Sequence, residues 1–128
     1  MLYKVFMARQ QTIGLLGEDT AAAYLQGLGY IILERNWRFS KAEIDIICKD
    51  RDVLVFVEVK SKSYTFFGEP EDSVSVYKET LIIDAANRYM EKVAHDWAIR
   101  FDIVSILFDK KRNPNITHFK DAFFPGIF

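Results

Sequence analysis

Two charged residues lie within the most hydrophobic strand-like segment of the chain, residues 53–62 (VLVFVEVKSK). Side chains alternate along a strand, so Glu58 and Lys60 point to the same face as Leu54 and Phe56, which precede them. Charges on an otherwise apolar face cost stability unless something compensates them. The pattern therefore indicates a functional site at the end of this strand.

A second carboxylate is expected beside Glu58. If residues 51–52 form a two-residue hairpin turn, Asp45 lies opposite Glu58 and Glu43 lies opposite Lys60. Opposed Cβ atoms are roughly 5 Å apart, so the two carboxylates would repel each other unless a cation binds between them. Arg-Asp is not a favoured two-residue turn, and a longer loop would shift this register.

The composition limits which cation this could be. Two histidines, His95 and His118, and the single Cys48 are too few for a zinc site of the usual Cys/His kind. Carboxylate oxygens instead favour Mg²⁺ or Mn²⁺. One cysteine also excludes an intrachain disulfide, so we expect a reducing, cytoplasmic setting.

Hydrophobic periodicity predicts the elements that would position these residues. Apolar residues at helical spacing predict a first helix, β-branched runs predict three strands, and a second amphipathic helix and two further strands follow. The predicted ranges are a helix over 12–27, strands over 30–38, 42–49 and 53–62, a helix over 76–94, and strands over 99–108 and 116–120. The order α-β-β-β-α-β-β predicts an α/β fold with a mixed sheet flanked by helices.

The 128 residues fit a single domain, predicted over residues 12–128, after an N-terminal tail over residues 1–11. No apolar run is long enough to span a bilayer, and the N-terminus lacks the features of a signal peptide. The net charge of −1 means that only a local basic patch could attract nucleic acid. Arg35, Arg38 and Lys41, near Trp37, either form that patch or mark a strand end whose tryptophan packs on the core.

Several motifs together resemble one bacterial family. They are Gly17-Glu18, Tyr24-Leu25, Gly29-Tyr30, Arg35-Asn36-Trp37-Arg38, Glu43-Ile44-Asp45, Phe56-Val57-Glu58-Val59-Lys60, Lys78 and Arg100-Phe101-Asp102. This set resembles the YraN-like family of uncharacterised bacterial proteins over about residues 13–124. Asp45 with Glu58-Val59-Lys60 also resembles the catalytic motif of the restriction-endonuclease-like, or PD-(D/E)XK, superfamily. Ala42 and Lys62 depart from the family pattern, which more often has glycine and arginine there.

The resemblance implies a restriction-endonuclease-like fold similar to Holliday-junction resolvases. It implies that Asp45 and Glu58 bind the metal, with the Val59 carbonyl as a further ligand. Lys60 would orient and help deprotonate the attacking water or stabilise charge on the phosphate. Glu18 would bind the metal through water or hold a second ion, although a solvated helix residue is an equally weighted interpretation. Lys78 would contact phosphate or simply begin the second helix.

The expected function is that of a Mg²⁺- or Mn²⁺-dependent endonuclease that hydrolyses phosphodiester bonds in DNA, with a preference for branched, single-stranded or otherwise non-duplex structures. The alternatives are a non-catalytic nucleic-acid-binding module and an interaction protein whose charged cluster is structural. Because one copy carries little positive charge, we also expect a homodimer that aligns two basic patches. Light scattering of the free and DNA-bound protein tests this, and a monomer in both states would count against it.

Overall fold

The computed structural model describes residues 2–65 and 75–123. Within these residues, two helices and five strands follow one another in the predicted order α-β-β-β-α-β-β, which is therefore confirmed. They are α1 (Leu2–Gly27), β1 (Ile31–Phe39), β2 (Ala42–Asp50), β3 (Val53–Ser63), α2 (Val76–Val93), β4 (Ile99–Phe108) and β5 (Pro114–Phe119). In this part of the chain, neither helix is long and apolar enough to cross a membrane.

The five strands form one mixed sheet in the order β1-β2-β3-β4-β5. β1, β2 and β3 form antiparallel pairs. α2 then carries the chain across to β4, which runs parallel to β3, and β5 returns antiparallel to β4. The most hydrophobic strand, β3, thus lies at the sheet centre, as its apolar sequence predicts.

Each face of the sheet is covered by one helix. The α1 face buries Val55 and Val57 of β3 against Leu25. The α2 face buries Leu54 and Phe56 of the same strand. Burial of alternate residues on opposite faces is what the period of a strand requires. This part of β3 is therefore packed on both faces of the sheet. The residues that follow it on β3 lie towards the end of that packed region.

The hairpin between β2 and β3 has the predicted two-residue turn. Asp50 pairs with Val53, and the ladder runs back from there to Ile46 and Val57. Arg51 adopts a left-handed backbone conformation, φ 58°, at the turn. Primed hairpin turns need this conformation, and Arg51 adopts it although glycine or asparagine is the usual residue.

The first helix starts earlier than the sequence predicts. α1 begins at Leu2, so residues 2–11, expected as a tail, are helical. The helical spacing of apolar residues predicts the helix only from residue 12, and the interior glycines Gly14 and Gly17 weaken the prediction of its start, because glycine lowers helix propensity. The two glycines differ in their surroundings. A Cβ at Gly14 would meet nothing within 4 Å, whereas one at Gly17 would lie 1.6 Å from Ser61 Oγ. Gly17 thus lets α1 approach the end of β3 closely.

The two glycines make a matched pair of variants. Gly14→Ala is expected to stabilise the protein by about 0.5 to 1 kcal/mol, because alanine restricts the unfolded chain and favours the helix. Gly17→Ala is expected to destabilise it by about 1 to 3 kcal/mol, because the new methyl group overlaps Ser61 and must push α1 from β3. Chemical denaturation measures both changes, and equal effects of the two substitutions would contradict the close approach.

A buried charge network lies in the sheet, with Asp102 of β4 at its centre. Asp102 is 0% exposed, and its carboxylate accepts hydrogen bonds from Arg100 Nε at 2.9 Å and from the Asp121 amide at 3.2 Å. His118 Nε2 lies 2.8 Å from Asp102 Oδ2. Burial alone would raise the pKa of Asp102, but the hydrogen bonds with His118 and Arg100 outweigh it and hold the pKa below its ordinary value. Arg100 also donates to Asp50 at 3.0 Å. Asp102 and His118 are therefore joined in a hydrogen-bonded network inside the fold.

Candidate metal centre

The candidate site lies where β2 and β3 stop pairing. Their ladder ends at Ile46 and Val57. One residue further along β2, the Asp45 carboxylate accepts a hydrogen bond from the Val59 amide of β3 at 2.8 Å. A side chain thus takes the place that a backbone carbonyl would occupy in a continued ladder. This contact fixes the Asp45 carboxylate at the opening between the two strands.

β2 is irregular at Asp45. Ile44 packs in the core on the α2 face, whereas Ile46 packs on the α1 face. Residues two apart share a face in a regular strand, so the alternation breaks between them. Across from this break, Asn36 of β1 has a left-handed φ of 54°, which asparagine tolerates better than most residues. Such irregularities commonly redirect a side chain.

Among the residues that the structure describes, three carboxylates come together at this opening: Glu18 of α1 and Glu43 and Asp45 of β2. One oxygen of each lies within 4.8 Å of the others. We call these three residues the carboxylate triad. With its amide nitrogen facing them, Asn36 donates to Glu43 Oε1 at 2.8 Å and to Glu18 Oε1 at 2.6 Å. Val59 borders the same space, an open concavity of about 540 Å³. Its lining residues are Gly14, Leu15, Glu18, Asp45, Val59 and Ser61.

The electrostatics of the triad favour a bound cation. Burial and the charge of Glu58 raise the pKa of Asp45 to about 7, against the opposing hydrogen bond from Val59. Burial also raises the pKa of Glu18, where Arg35 opposes and Glu43 adds to the increase. The nearby cations thus do not fully compensate the negative charge. Oxygen donors in this arrangement fit a hard divalent ion such as Mg²⁺ or Mn²⁺.

Glu58 is oriented differently from what the sequence predicts. The expected cross-strand pair of Glu58 and Asp45 does not form, because the ladder ends one residue earlier. Glu58 is 8% exposed and forms an ion pair with Lys78 of α2. It lies outside the triad, yet its charge still acts on Asp45. Lys60, two residues further on, is partly buried beside Ser105 of β4 at the same end of the sheet.

Glu43 likewise does not lie opposite Lys60 in a ladder. It pairs across β1 with Arg38, whose guanidinium contacts the Glu43 carboxylate at 2.8 Å. Sequence reasoning missed Glu43 as a candidate ligand, and it missed Asn36 as the donor between the carboxylates. The signal for Glu43 was present, since residues two apart on a strand share a face and Glu43 precedes Asp45 by two.

Of the four predicted nucleic-acid-binding residues, three form ion pairs with carboxylates. Arg35 contacts Asp19 of α1 at 2.8 Å. Arg38 pairs with Glu43 and Lys78 with Glu58, while Lys41 is exposed in the turn between β1 and β2. The sequence left open whether Trp37 belongs to a nucleic-acid-binding surface or packs on the core, and the structure decides this for Trp37. The Trp37 ring packs edge-on against Tyr89, at 5.3 Å between centroids, so it belongs to the core on the α2 face.

Comparison with known proteins places the chain among close relatives that share its length. The model of the family described as "Uncharacterised protein family UPF0102" matches residues 17–106. A UPF0102 protein of Flavobacterium psychrophilum is 44% identical over 118 residues, covering 92% of this chain and 98% of the relative. One from Clostridium kluyveri is 46% identical over 113 residues, covering 87% and 93%. The resemblance to the YraN-like family of uncharacterised bacterial proteins is thereby confirmed. The chain belongs to the uncharacterised protein family UPF0102.

Proposed function

We propose that this protein is a metal-dependent endonuclease that hydrolyses phosphodiester bonds in DNA. The observation that carries the proposal is the carboxylate triad, whose oxygens lie within 4.8 Å of one another at the strand end that bears Lys60. A binding module has no need of such a set, because ionised carboxylates repel phosphate. The raised pKa of Asp45 adds support, since shifted pKa values gather at functional sites.

The proposed roles follow from the position and chemistry of each side chain. Glu18, Glu43 and Asp45 would hold Mg²⁺ or Mn²⁺, with the Val59 carbonyl as a further donor. The bound ion would supply Lewis-acid polarisation of a phosphoryl oxygen. Lys60 would orient the attacking water and stabilise negative charge on the five-coordinate phosphate. The water oxygen would bond to phosphorus and release a proton, the bridging P–O bond would break, and the departing oxygen would take up a proton, which gives one phosphate end and one hydroxyl end.

The substrate is proposed from the shape of the opening and the local charge. Arg35, Arg38, Lys41 and Lys78 would contact phosphates, and a net charge of −1 leaves little attraction elsewhere. Among the residues that the structure describes, no side chain at the opening offers an evident base readout, so we propose that structure rather than sequence is recognised. Branched or single-stranded DNA is the proposed substrate class. A reducing, cytoplasmic setting suits the buried, unoxidised Cys48 thiol.

Cleavage assays on single-stranded, branched and duplex DNA test the proposal. Cleavage is expected with Mg²⁺ or Mn²⁺, with Ca²⁺ binding but not supporting it. Lys60→Ala should reduce cleavage about 100-fold or more, because it removes the group that acts on water or phosphate. The same variant should keep its stabilisation by Mn²⁺, because lysine is not a ligand.

Lys92→Ala provides the control, since Lys92 is exposed in the last turn of α2. It should cleave at the wild-type rate. Equal cleavage by wild type and Lys60→Ala would contradict the assigned role of Lys60. Metal binding without cleavage of any of these substrates would favour the non-catalytic nucleic-acid-binding module.

A further inference from the structure

Lys78 is fixed at the start of α2 with its side chain directed at a buried carboxylate. Ser75 caps this helix, and its side-chain oxygen accepts a hydrogen bond from the Lys78 amide at 3.2 Å. The Lys78 ammonium then donates to Glu58 Oε1. The Glu58 side chain is only 9% exposed, whereas that of Lys78 is 48% exposed. The pair therefore joins a carboxylate at the inner edge of the site to a lysine that reaches it from solvent.

Glu58 lies beside the carboxylate triad along β3. The next residue, Val59, donates its amide hydrogen to the Asp45 carboxylate at 2.8 Å. A divalent ion held by the triad would therefore attract the Glu58 carboxylate. Lysine is a point charge on a flexible stem, and its half-exposed ammonium can return to water at low cost. A buried carboxylate, by contrast, needs a counter-ion at all times.

We propose that Lys78 is the counter-ion of Glu58 in the metal-free protein and that a divalent cation at the triad displaces it. Lys78 is then a positioning residue, which holds the Glu58 side chain in place until the metal arrives. The inference rests on the proposed metal centre and does not require that the protein cleave DNA. Displacement of Lys78 would explain how Glu58, which lies outside the triad in this structure, can still become a metal ligand.

Removing Lys78 should therefore strengthen metal binding, the opposite of what loss of a merely structural residue would do. We would titrate Mn²⁺ calorimetrically into wild type, Lys78→Met and the control Lys92→Met, without nucleic acid. Lys78→Met should bind Mn²⁺ about tenfold more tightly, within the usual range of coupling between sites. Without metal it should unfold at a lower temperature than wild type, and Mn²⁺ should raise its Tm by more. Lys92→Met should match wild type.

A double-mutant cycle separates competition at Glu58 from a general effect of removing a positive charge. In a Glu58→Gln background, Lys78→Met should leave Mn²⁺ affinity unchanged. An equal gain in both backgrounds would overturn the proposal, as would unchanged or weaker binding by Lys78→Met alone. If none of the proteins binds Mn²⁺, it fails together with the metal centre. If competition is observed but no DNA is cleaved, the proposal stands while the nuclease function fails.

Discussion

Replacing Asp45 with asparagine is expected to make the metal-free protein more stable at neutral pH, by roughly 2 to 4 kcal/mol. Burial and the charge of Glu58 raise the pKa of Asp45 to about 7, so the folded state disfavours the ionised side chain. Asparagine has the same shape, carries no charge and can still accept the hydrogen bond from the Val59 amide. The amide group of asparagine can donate to the neighbouring carboxylates.

The gain should depend on pH in a defined direction. In the unfolded chain Asp45 ionises near its ordinary pKa of 3.8, and in the folded protein near 7. Between these values the folded state binds more protons, so the stability of wild type relative to Asp45→Asn falls as pH rises. The difference should be small near pH 4 and complete above pH 7. Urea denaturation across this range measures it.

The exposed Asp84 of α2 provides the control for this prediction. Asp84→Asn should change the free energy of unfolding by less than about 0.5 kcal/mol at every pH tested. Destabilisation by Asp45→Asn at neutral pH would instead favour the interpretation in which the charged cluster is structural. Loss of a partner in a buried salt bridge costs about 3 to 5 kcal/mol.

Asp102→Asn should destabilise the protein by about 3 kcal/mol or more, the largest loss expected from any single substitution discussed here. Asp102 is fully buried and shares its two oxygens between Arg100 and His118. Asparagine would leave the Arg100 guanidinium, whose side chain is 13% exposed, with the Asp50 carboxylate as its remaining charged partner. Chemical denaturation at pH 7 measures the loss.

The pH dependence of this second effect has the opposite sign. The folded-state pKa of Asp102 is lowered, so its contribution is present above the unfolded pKa and is lost as pH falls through the folded value. The difference between wild type and Asp102→Asn should therefore shrink only under acid conditions. Glu91→Gln is the control, because the Arg88–Glu91 pair is exposed and its loss should cost less than about 1 kcal/mol. Equal costs for the two variants would contradict the central place of Asp102.

The fold was predictable because local patterns determine its elements. The apolar run of β3 predicted its central position, and the amphipathic spacing predicted α2. The hairpin register was also correct, since the two-residue turn at Arg51 sets it. The start of α1 was predicted wrongly, because the helical spacing of apolar residues was recognised only from Ile13 onward, whereas the helix begins at Leu2. The low helix propensity of Gly17 is offset by the close approach to Ser61, which only the tertiary structure reveals.

The sequence singled out Glu18 and Asp45, which lie together in the structure, but it predicted neither Glu43 nor the geometry of the carboxylate triad. Alternation along a strand placed Asp45 opposite Glu58, yet the break in β2 beside Asn36 changes the face to which Asp45 points. Glu58 pairs with Lys78, twenty positions away in the sequence and on another element. Such a contact depends on how α2 crosses the sheet, which no local pattern contains. Glu43 could have been recognised from its spacing to Asp45 alone.

The most direct test of the metal centre is a calorimetric titration of Mn²⁺ into wild type, Asp45→Asn and the control Asp84→Asn. Saturable binding of Mn²⁺ to wild type is predicted. The affinity of Asp45→Asn should be at least about tenfold lower, because losing a metal ligand should reduce the affinity at least as much as losing a group that only orients a ligand. Asp84→Asn should bind like wild type. Absence of Mn²⁺ binding to wild type, or equal affinity in all three proteins, would contradict the assignment of Glu18, Glu43 and Asp45 as a metal centre.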